Sequence, residues 1–164
     1  MQERFRQVAV ILNRVVQPGD ILYSSKGWST FLVGHVGIVG EDLRIYHSHP
    51  RGAFADSLPS YISRHKFGGA LTLLRPKQGG LAAAVWAREN IKMVEKYIFH
   101  PALDNIGANY CSKFIWQAFF ATDVGDITGW RLANTQKHWI FPFQVKNSSS
   151  LEPILLVSIE QKSS

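Results

Sequence analysis

Cys111 is the only cysteine in 164 residues, so no disulfide can staple this chain and no zinc site of several thiolates can form. Whatever it folds into must hold by burial. The composition allows that. Apolar residues make up 46% and charged residues 18%, which suits one domain over 1–164 with an N-terminal helix over 1–16 and a flexible polar tail over 160–164. The first helix is read from Val8, Leu12 and Val15 at helical spacing, interrupted by Arg6, Gln7, Asn13 and Arg14. Those interruptions suit an amphipathic helix and not the apolar run of a signal peptide, so a cytoplasmic location is expected. No stretch reaches the length of a membrane span, and no integral membrane segment is expected. The net charge of +6 permits attraction to phosphates, cell-wall polymers or acidic lipid surfaces without choosing among them. Its Lys and Arg residues are scattered, which argues against a nucleic-acid partner.

The cysteine opens an amphipathic segment. Ile115, Ala118 and Phe119 follow Cys111 at i+4, i+7 and i+8, which predicts a helix over about 110–122 with the thiol on its buried face and Asn109 as N-cap. A thiol in the first turn sits at the positive end of the helix dipole beside unpaired N–H groups, an environment that favours a thiolate and can stabilise an oxyanion. The same position also suits a small core residue.

Ahead of it, Gln17-Pro18-Gly19-Asp20 is turn chemistry and 21–24 reads as a strand. A loop with Trp28 at its tip leads into a second strand over 33–39, in which Val33, His35, Gly37 and Val39 share a face. Gly40-Glu41-Asp42 is a hairpin loop and 43–48 the return strand. With three residues outside the ladder, Val39 faces Leu43 and His35 faces His47; with two outside, His35 faces Ser48 instead. The first register gives His35 a polar partner. Pro50-Arg51-Gly52 ends that strand, and 56–66 reads as a short surface helix with Leu58, Tyr61, Ile62 and His65. A strand over 70–75 stops at Pro76. A helix over about 81–98 buries Val85, Ile91, Val94 and Ile98. Beyond the cysteine helix come breaks at Gly125 and Gly129, an apolar turn at 140–143, a serine-rich linker and a last strand over 153–159.

A helix with a cysteine at its N-terminus and a hairpin carrying two histidines are the parts of a Cys-His-polar triad. Cys111 is the nucleophile, His35 takes its proton and His47 fixes the His35 ring. The Cys111 N–H is the first oxyanion donor, and Tyr23, Tyr110 and Ser112 are further oxyanion or substrate-binding positions. No metal or cofactor is expected.

The order Pro18-Gly19-Asp20-Ile21-Leu22-Tyr23, then Gly34-His35-Val36-Gly37-Ile38-Val39, then Tyr110-Cys111-Ser112 resembles the permuted papain-like, NlpC-type cysteine peptidases and amidases, in the YiiX-like group. The resemblance spans about 17–122. It implies an α+β fold, a small antiparallel sheet or barrel packed on helices, with the histidine strand ahead of the cysteine helix. It also implies Cys111 as nucleophile, His35 as base, the His47 position as third residue, and a peptide or acyl-amide substrate, such as a cell-wall peptide. Many relatives carry glutamate at the positions of His47 and Lys113, although histidine is the third member in NlpC-type enzymes. Lys113 adds positive potential beside the thiol or is a solvated surface residue.

Three alternatives stay open. The Asn-Cys-Glu-His type motif of the lecithin:retinol acyltransferase branch is absent, which makes a thioesterase or acyltransferase on lipid acyl groups the secondary reading. His47-Ser48-His49-Pro50 followed by Ser57 resembles the JAMM-type metalloprotease motif, but Ser60 stands where that motif needs an aspartate. Two histidines alone leave zinc short of a third protein ligand unless His35 joins them. A non-catalytic binding module would use Trp28, Trp116, Trp130 and Trp139 to line its cleft, and His65, His100 and His138 read as surface or packing residues.

Overall fold

The computed structural model describes residues 2–25, 34–65 and 69–159; Trp28, Val33 and the tail over 160–164 lie outside them. The elements follow in the order α1 (Gln2–Asn13), β1 (Ile21–Ser24), β2 (His35–Val39), β3 (Ile45–His49), β4 (Gly52–Asp56), α2 (Leu58–Ser63), β5 (Ala70–Pro76), α3 (Gly80–Asn90), β6 (Lys96–Tyr97), β7 (Ala108–Asn109), α4 (Cys111–Phe120), α5 (Pro142–Lys146) and β8 (Leu151–Ser158). Six strands form one antiparallel sheet in the order β4-β3-β2-β1-β5-β8, and β6 pairs with β7 in a small parallel sheet.

Period-two alternation sorts the sheet residues between two helical layers. Val36, Ile38 and Tyr46 pack with Cys111, Phe114, Ile115 and Phe119 of α4 and with Ala83 and Ala87 of α3. On the other face, Leu22, Val39, Ile45, Leu71 and Leu73 pack with Val8 and Leu12 of α1 and with Leu58, Tyr61 and Ile62 of α2. The chain is therefore a mixed α+β structure with an antiparallel sheet covered by helices on both faces. Among the described residues, no helix is long and apolar enough to cross a membrane.

The turn before β1 is built for contact. Gly19 has φ +91°, and a Cβ there would lie 2.3 Å from Gly80 backbone atoms at the start of α3. Asp20, buried at the end of the same turn, accepts two hydrogen bonds from Arg75 of β5, 2.9 Å from Nε and 2.8 Å from Nη2. The Pro-Gly-Asp sequence thus pins β1 to β5 and lets α3 approach.

Several expectations change in detail. Ile38 pairs with Tyr46 and Val39 with Ile45, and Gly40 N–H bonds the Arg44 carbonyl at 2.8 Å. The hairpin loop therefore has the expected three residues but at 41–43, one place further on. Asp42 fixes it there: its carboxylate accepts from Arg44 N–H at 3.1 Å and from the Tyr46 hydroxyl at 2.8 Å. The ladder moves by two residues, which keeps every side chain on its expected face. Continued, this register sets Gly37 opposite His47 and His35 opposite His49, not His47.

The segment after Pro50 continues as a strand, β4, which pairs with β3 over its whole length. Helix α2 is the expected short surface helix and is amphipathic, with Leu58, Tyr61 and Ile62 buried and Pro59, Ser60 and Ser63 exposed. The helix expected over 81–98 ends at Asn90, turns through a 3-10 segment and becomes β6. Its buried face is Ala83, Ala84, Ala87 and Ile91, whereas Ile98 is exposed. At α4 the N-cap is Tyr110, not Asn109, with no side-chain cap; the Asn109 side chain bonds the Tyr110 N–H instead. The apolar turn at 140–143 runs into α5, with Pro142 in its first turn.

Candidate active site

Gly37 makes room for the site. A Cβ on it would fall 2.7 Å from Ile45 Cγ2 and 3.0 Å from the Tyr61 ring, so the backbone of β2 lies against α2. With no side chain opposite His47, the His35 ring leans across the diagonal. Its Nε2 lies 2.9 Å from His47 Nδ1, with both rings buried. The expected partner is reached, although by a diagonal contact.

The hydrogen bonds continue beyond the expected pair. His47 Nε2 is 2.7 Å from Asp56 Oδ2. Arg64 completes the carboxylate's shell, with Nε 2.7 Å from Oδ2 and Nη2 3.0 Å from Oδ1. Burial alone would raise the Asp56 carboxyl, but the hydrogen bonds from His47 and Arg64 outweigh it and hold it well below the usual carboxylate range. Asp56 is therefore an anion that accepts from His47 Nε2–H. This leaves His47 Nδ1 unprotonated, so it accepts from His35 Nε2–H, and His35 Nδ1 carries a lone pair with no hydrogen-bond partner among the described residues. Burial keeps both rings neutral by lowering their pKa values, His35 far below the ordinary range.

Cys111 sits at the first position of α4, on the face of the sheet opposite Tyr61 and Val39. The sheet opens between them. Val39 directs both its N–H and its C=O to the β1 side, at Asp20 and Gly19; by alternation Val36 directs its N–H to the β3 side. Pairing of β2 with β3 has ended there, at Ile38 and Tyr46. That N–H instead lies near the Cys111 thiol, the amide next along the chain from His35. Burial nevertheless pushes the thiol up to about 11, against the pull of the Val36, Ser112 and Cys111 N–H groups. The expected dipole effect is thus outweighed by desolvation. The resting site holds a neutral thiol and a neutral imidazole, and no hydrogen bond joins Cys111 Sγ to the His35 ring among the described residues.

The other expected positions fall differently. The Ser112 hydroxyl donates to the Ile140 carbonyl at 2.5 Å and also lies near the Cys111 thiol, which it pulls down against the effect of burial. Tyr110, fully buried, accepts from the Ile140 N–H at 2.9 Å and keeps its own proton to donate; burial raises it to about 12. Tyr23 is buried in the same core cluster as Cys111, with Lys146 Nζ 5.2 Å from its ring centroid. Lys113 is not a surface residue. It is fully buried, and Nζ donates to the carbonyls of Ala108 at 2.7 Å and of His100 and Ala102 at 3.1 Å. Desolvation lowers it to about 8. Its ammonium clamps the 100–108 segment to α4.

Trp116 is core, stacked on Phe120, whereas Trp130 and Trp139 are about half exposed. Ser57 of the metalloprotease-like segment is the N-cap of α2, with its Oγ 3.3 Å from Ser60 N. Sequence reasoning missed Asp56 and Arg64 and read Tyr61 only as a helix residue. Only Asp56 carried a usable signal, as an acid three residues after Ala53 in a weakly alternating run.

His65 makes the site acid-labile. It is buried, with Nε2 2.9 Å from Ser24 Oγ and Nδ1 3.0 Å from the Tyr61 carbonyl. Burial lowers it to about 4. The unfolded chain therefore binds a proton there that the folded chain refuses from about pH 6.5 down to 4, so stability falls as pH falls through that window. The slope is up to about 1.4 kcal/mol per pH unit for one histidine. Urea midpoints measured from pH 7 to 4 are expected to fall, and less steeply in His65→Gln. An unchanged slope would contradict this.

The chain matches no protein-family model and no curated protein sequence. Among solved structures it is similar to one described as the metalloprotein yiiX from Escherichia coli O157:H7, DUF1105. The TM-score is 0.58 at 16% identity, over 85% of this chain and 96% of that one. At that identity the likeness is one of fold, a YiiX-like α+β architecture.

Proposed function

We propose that this chain is a cysteine hydrolase of the permuted papain-like, NlpC-type architecture, cleaving an amide bond in a peptide, such as a cell-wall peptide. The observation that supports the reading is the relay Arg64–Asp56–His47–His35, in which His35 Nδ1 has no hydrogen-bond partner among the described residues and the next backbone amide along the chain, that of Val36, lies near the Cys111 thiol. Sγ attacks the substrate carbonyl carbon as His35 Nδ1 takes the thiol proton, and the oxygen becomes an oxyanion. The Cys111 N–H at the start of α4 and the Tyr110 hydroxyl would donate to it. Collapse breaks the C–N bond, and the leaving amine takes the proton from His35. Water, deprotonated by His35, then hydrolyses the thioester.

The histidines do not fit a metal ion. Both His47 nitrogens are engaged, by His35 and Asp56, and Asp56 is filled by an Arg64 cation. The rings of His35, His47 and His49 lie 5.1 to 6.0 Å apart, but among the described residues no three His, Cys, Asp or Glu side chains are placed to hold a metal ion. The metalloprotein description belongs to yiiX. A lipid thioesterase or acyltransferase would use the same relay and thioester.

The test is covalent. Incubated with activated esters of N-acetyl amino acids and quenched in acid, the protein is expected to gain the mass of one acyl group, lost after alkylation of Cys111. Turnover that survives complete alkylation would sink the reading.

A further inference from the structure

Five aromatic rings among the described residues are exposed, those of Phe99, Trp130, Trp139, Phe141 and Phe143, each by 37% to 55%. They form one surface. The Trp130 ring meets that of His138 at 4.9 Å between centroids, Trp139 Nε1 donates to the Phe99 carbonyl at 3.4 Å, and Phe141 stacks on Phe143 at 5.8 Å. Ile140 is buried between Trp139 and Phe141, and Phe143 stands out from α5 while Pro142, Gln144 and Val145 are buried. The surface is fastened to the start of the cysteine helix. Ile140 N–H donates to the Tyr110 hydroxyl, the Ser112 hydroxyl donates to the Ile140 carbonyl, and the Phe99 ring lies 4.9 Å from that of Tyr110. Apolar rings gathered in water on a fixed backbone mark a contact surface.

The charge around the rings is mostly of one sign. Residues 130–147 hold Arg131, Lys137 and Lys146 with no Asp or Glu. All three cations are exposed, and none is ion-paired with an acid among the described residues. Asp126, the acid ahead of this segment, is turned to Trp116 Nε1 and the Leu132 N–H, and Glu95 and Asp104 flank the Phe99 segment at a distance of four and five residues. Aromatic rings enter the boundary between lipid headgroups and chains, and cations beside them meet lipid phosphates. A two-fold contact between copies would instead set these cations against their own equivalents. Single-stranded nucleic acid also uses rings and cations, but Ile98, exposed beside Phe99, offers aliphatic surface that hydrocarbon takes and base stacking does not use. We propose that this face docks on an anionic lipid bilayer, which sets the start of α4 against the membrane surface. The docking goes beyond the hydrolase reading and does not depend on it.

The test is sedimentation with vesicles of mixed phosphatidylglycerol and phosphatidylcholine. The parent and Cys111→Ala are expected to partition equally onto them, and about tenfold less or lower still onto phosphatidylcholine alone. Trp139→Ala and Phe143→Ser are each expected to lower the partition coefficient about tenfold, and Arg131→Gln and Lys137→Gln about fivefold each. Leu156 of β8, 68% exposed and outside the patch, controls for general stickiness, and Leu156→Ala is expected to bind as the parent does. A readout on the unaltered chain guards against misfolded variants: lipids brominated on the acyl chain are expected to quench its tryptophan fluorescence. Binding without that quench, binding unchanged in the patch variants, or an equal loss in Leu156→Ala would overturn the docking. So would displacement of the vesicles by a single-stranded oligonucleotide, or a dimer in solution that Phe143→Ser dissociates. Vesicle binding reads none of the chemistry at Cys111, so the hydrolase can fail while the docking stands, and the reverse.

Discussion

On the proposed reading, Cys111→Ala is expected to abolish turnover and His35→Ala to lower kcat/KM by about 10⁴-fold or more, with both variants keeping the parent's far-ultraviolet circular dichroism. The size follows from the way a nucleophile and its base act as one unit, so that losing either removes nearly the whole covalent route. Folding should survive both changes. Cys111 contributes one small sulfur to a core that also contains Phe114, Ile115 and Phe119, and alanine leaves only a small void. A companion measurement follows from the neutral resting pair. Because burial raises the Cys111 thiol to about 11, its alkylation rate in the free protein is expected to climb towards that pH rather than level off below the free-cysteine value of about 8.5. Turnover of Cys111→Ala within tenfold of the parent would end the case for a thioester.

Asp56→Ala is expected to cost about 3–5 kcal/mol of stability, read as a fall in the urea midpoint at pH 7. The carboxylate stands between two partners. Its removal leaves the Arg64 guanidinium without its bidentate acceptor and His47 Nε2–H without any. The folded carboxyl lies below its unfolded value, so its contribution is present above about pH 4 and is lost as pH falls through the folded value. The penalty should therefore shrink in acid. Combining Asp56→Ala with Arg64→Met should restore part of the loss, because the second change removes the orphaned cation. Strictly additive losses would show that the two residues do not act together.

The sequence carried the hairpin and the cysteine helix because each has a period. Val36, Ile38 and Tyr46 alternate against His35, Gly37 and His47, and Cys111, Ile115, Ala118 and Phe119 recur at helical spacing. Register was not legible to the residue, because it depends on Asp42 bonding both Arg44 and Tyr46, a turn made by one side chain. Strand β4 was missed because Gly52-Ala53-Phe54-Ala55 has little aliphatic content after a proline and a glycine, and Asp56 was missed with it. Alanines also hid the buried face of α3, where Ala83, Ala84 and Ala87 make close contact without the bulk that marks a stripe. Lys113 reads as solvated from its charge, and nothing in a one-dimensional pattern shows three backbone carbonyls gathering around its ammonium. The desolvation that raises Cys111 was similarly out of reach, since it depends on how completely the sheet and helices close over the thiol.

The strand order also bears on how the chain is made. Strands β1 to β4 form a local meander, but β1 at its inner end pairs on its other side with β5, and β5 must in turn wait for β8. As the polypeptide leaves the ribosome, the β1–β4 segments that bury the N-terminal end of α4 emerge before that helix does. The Cys111 sulfur is thus synthesised after the local pieces of the surface that covers it, and β8, at the outer edge of the sheet, follows later still.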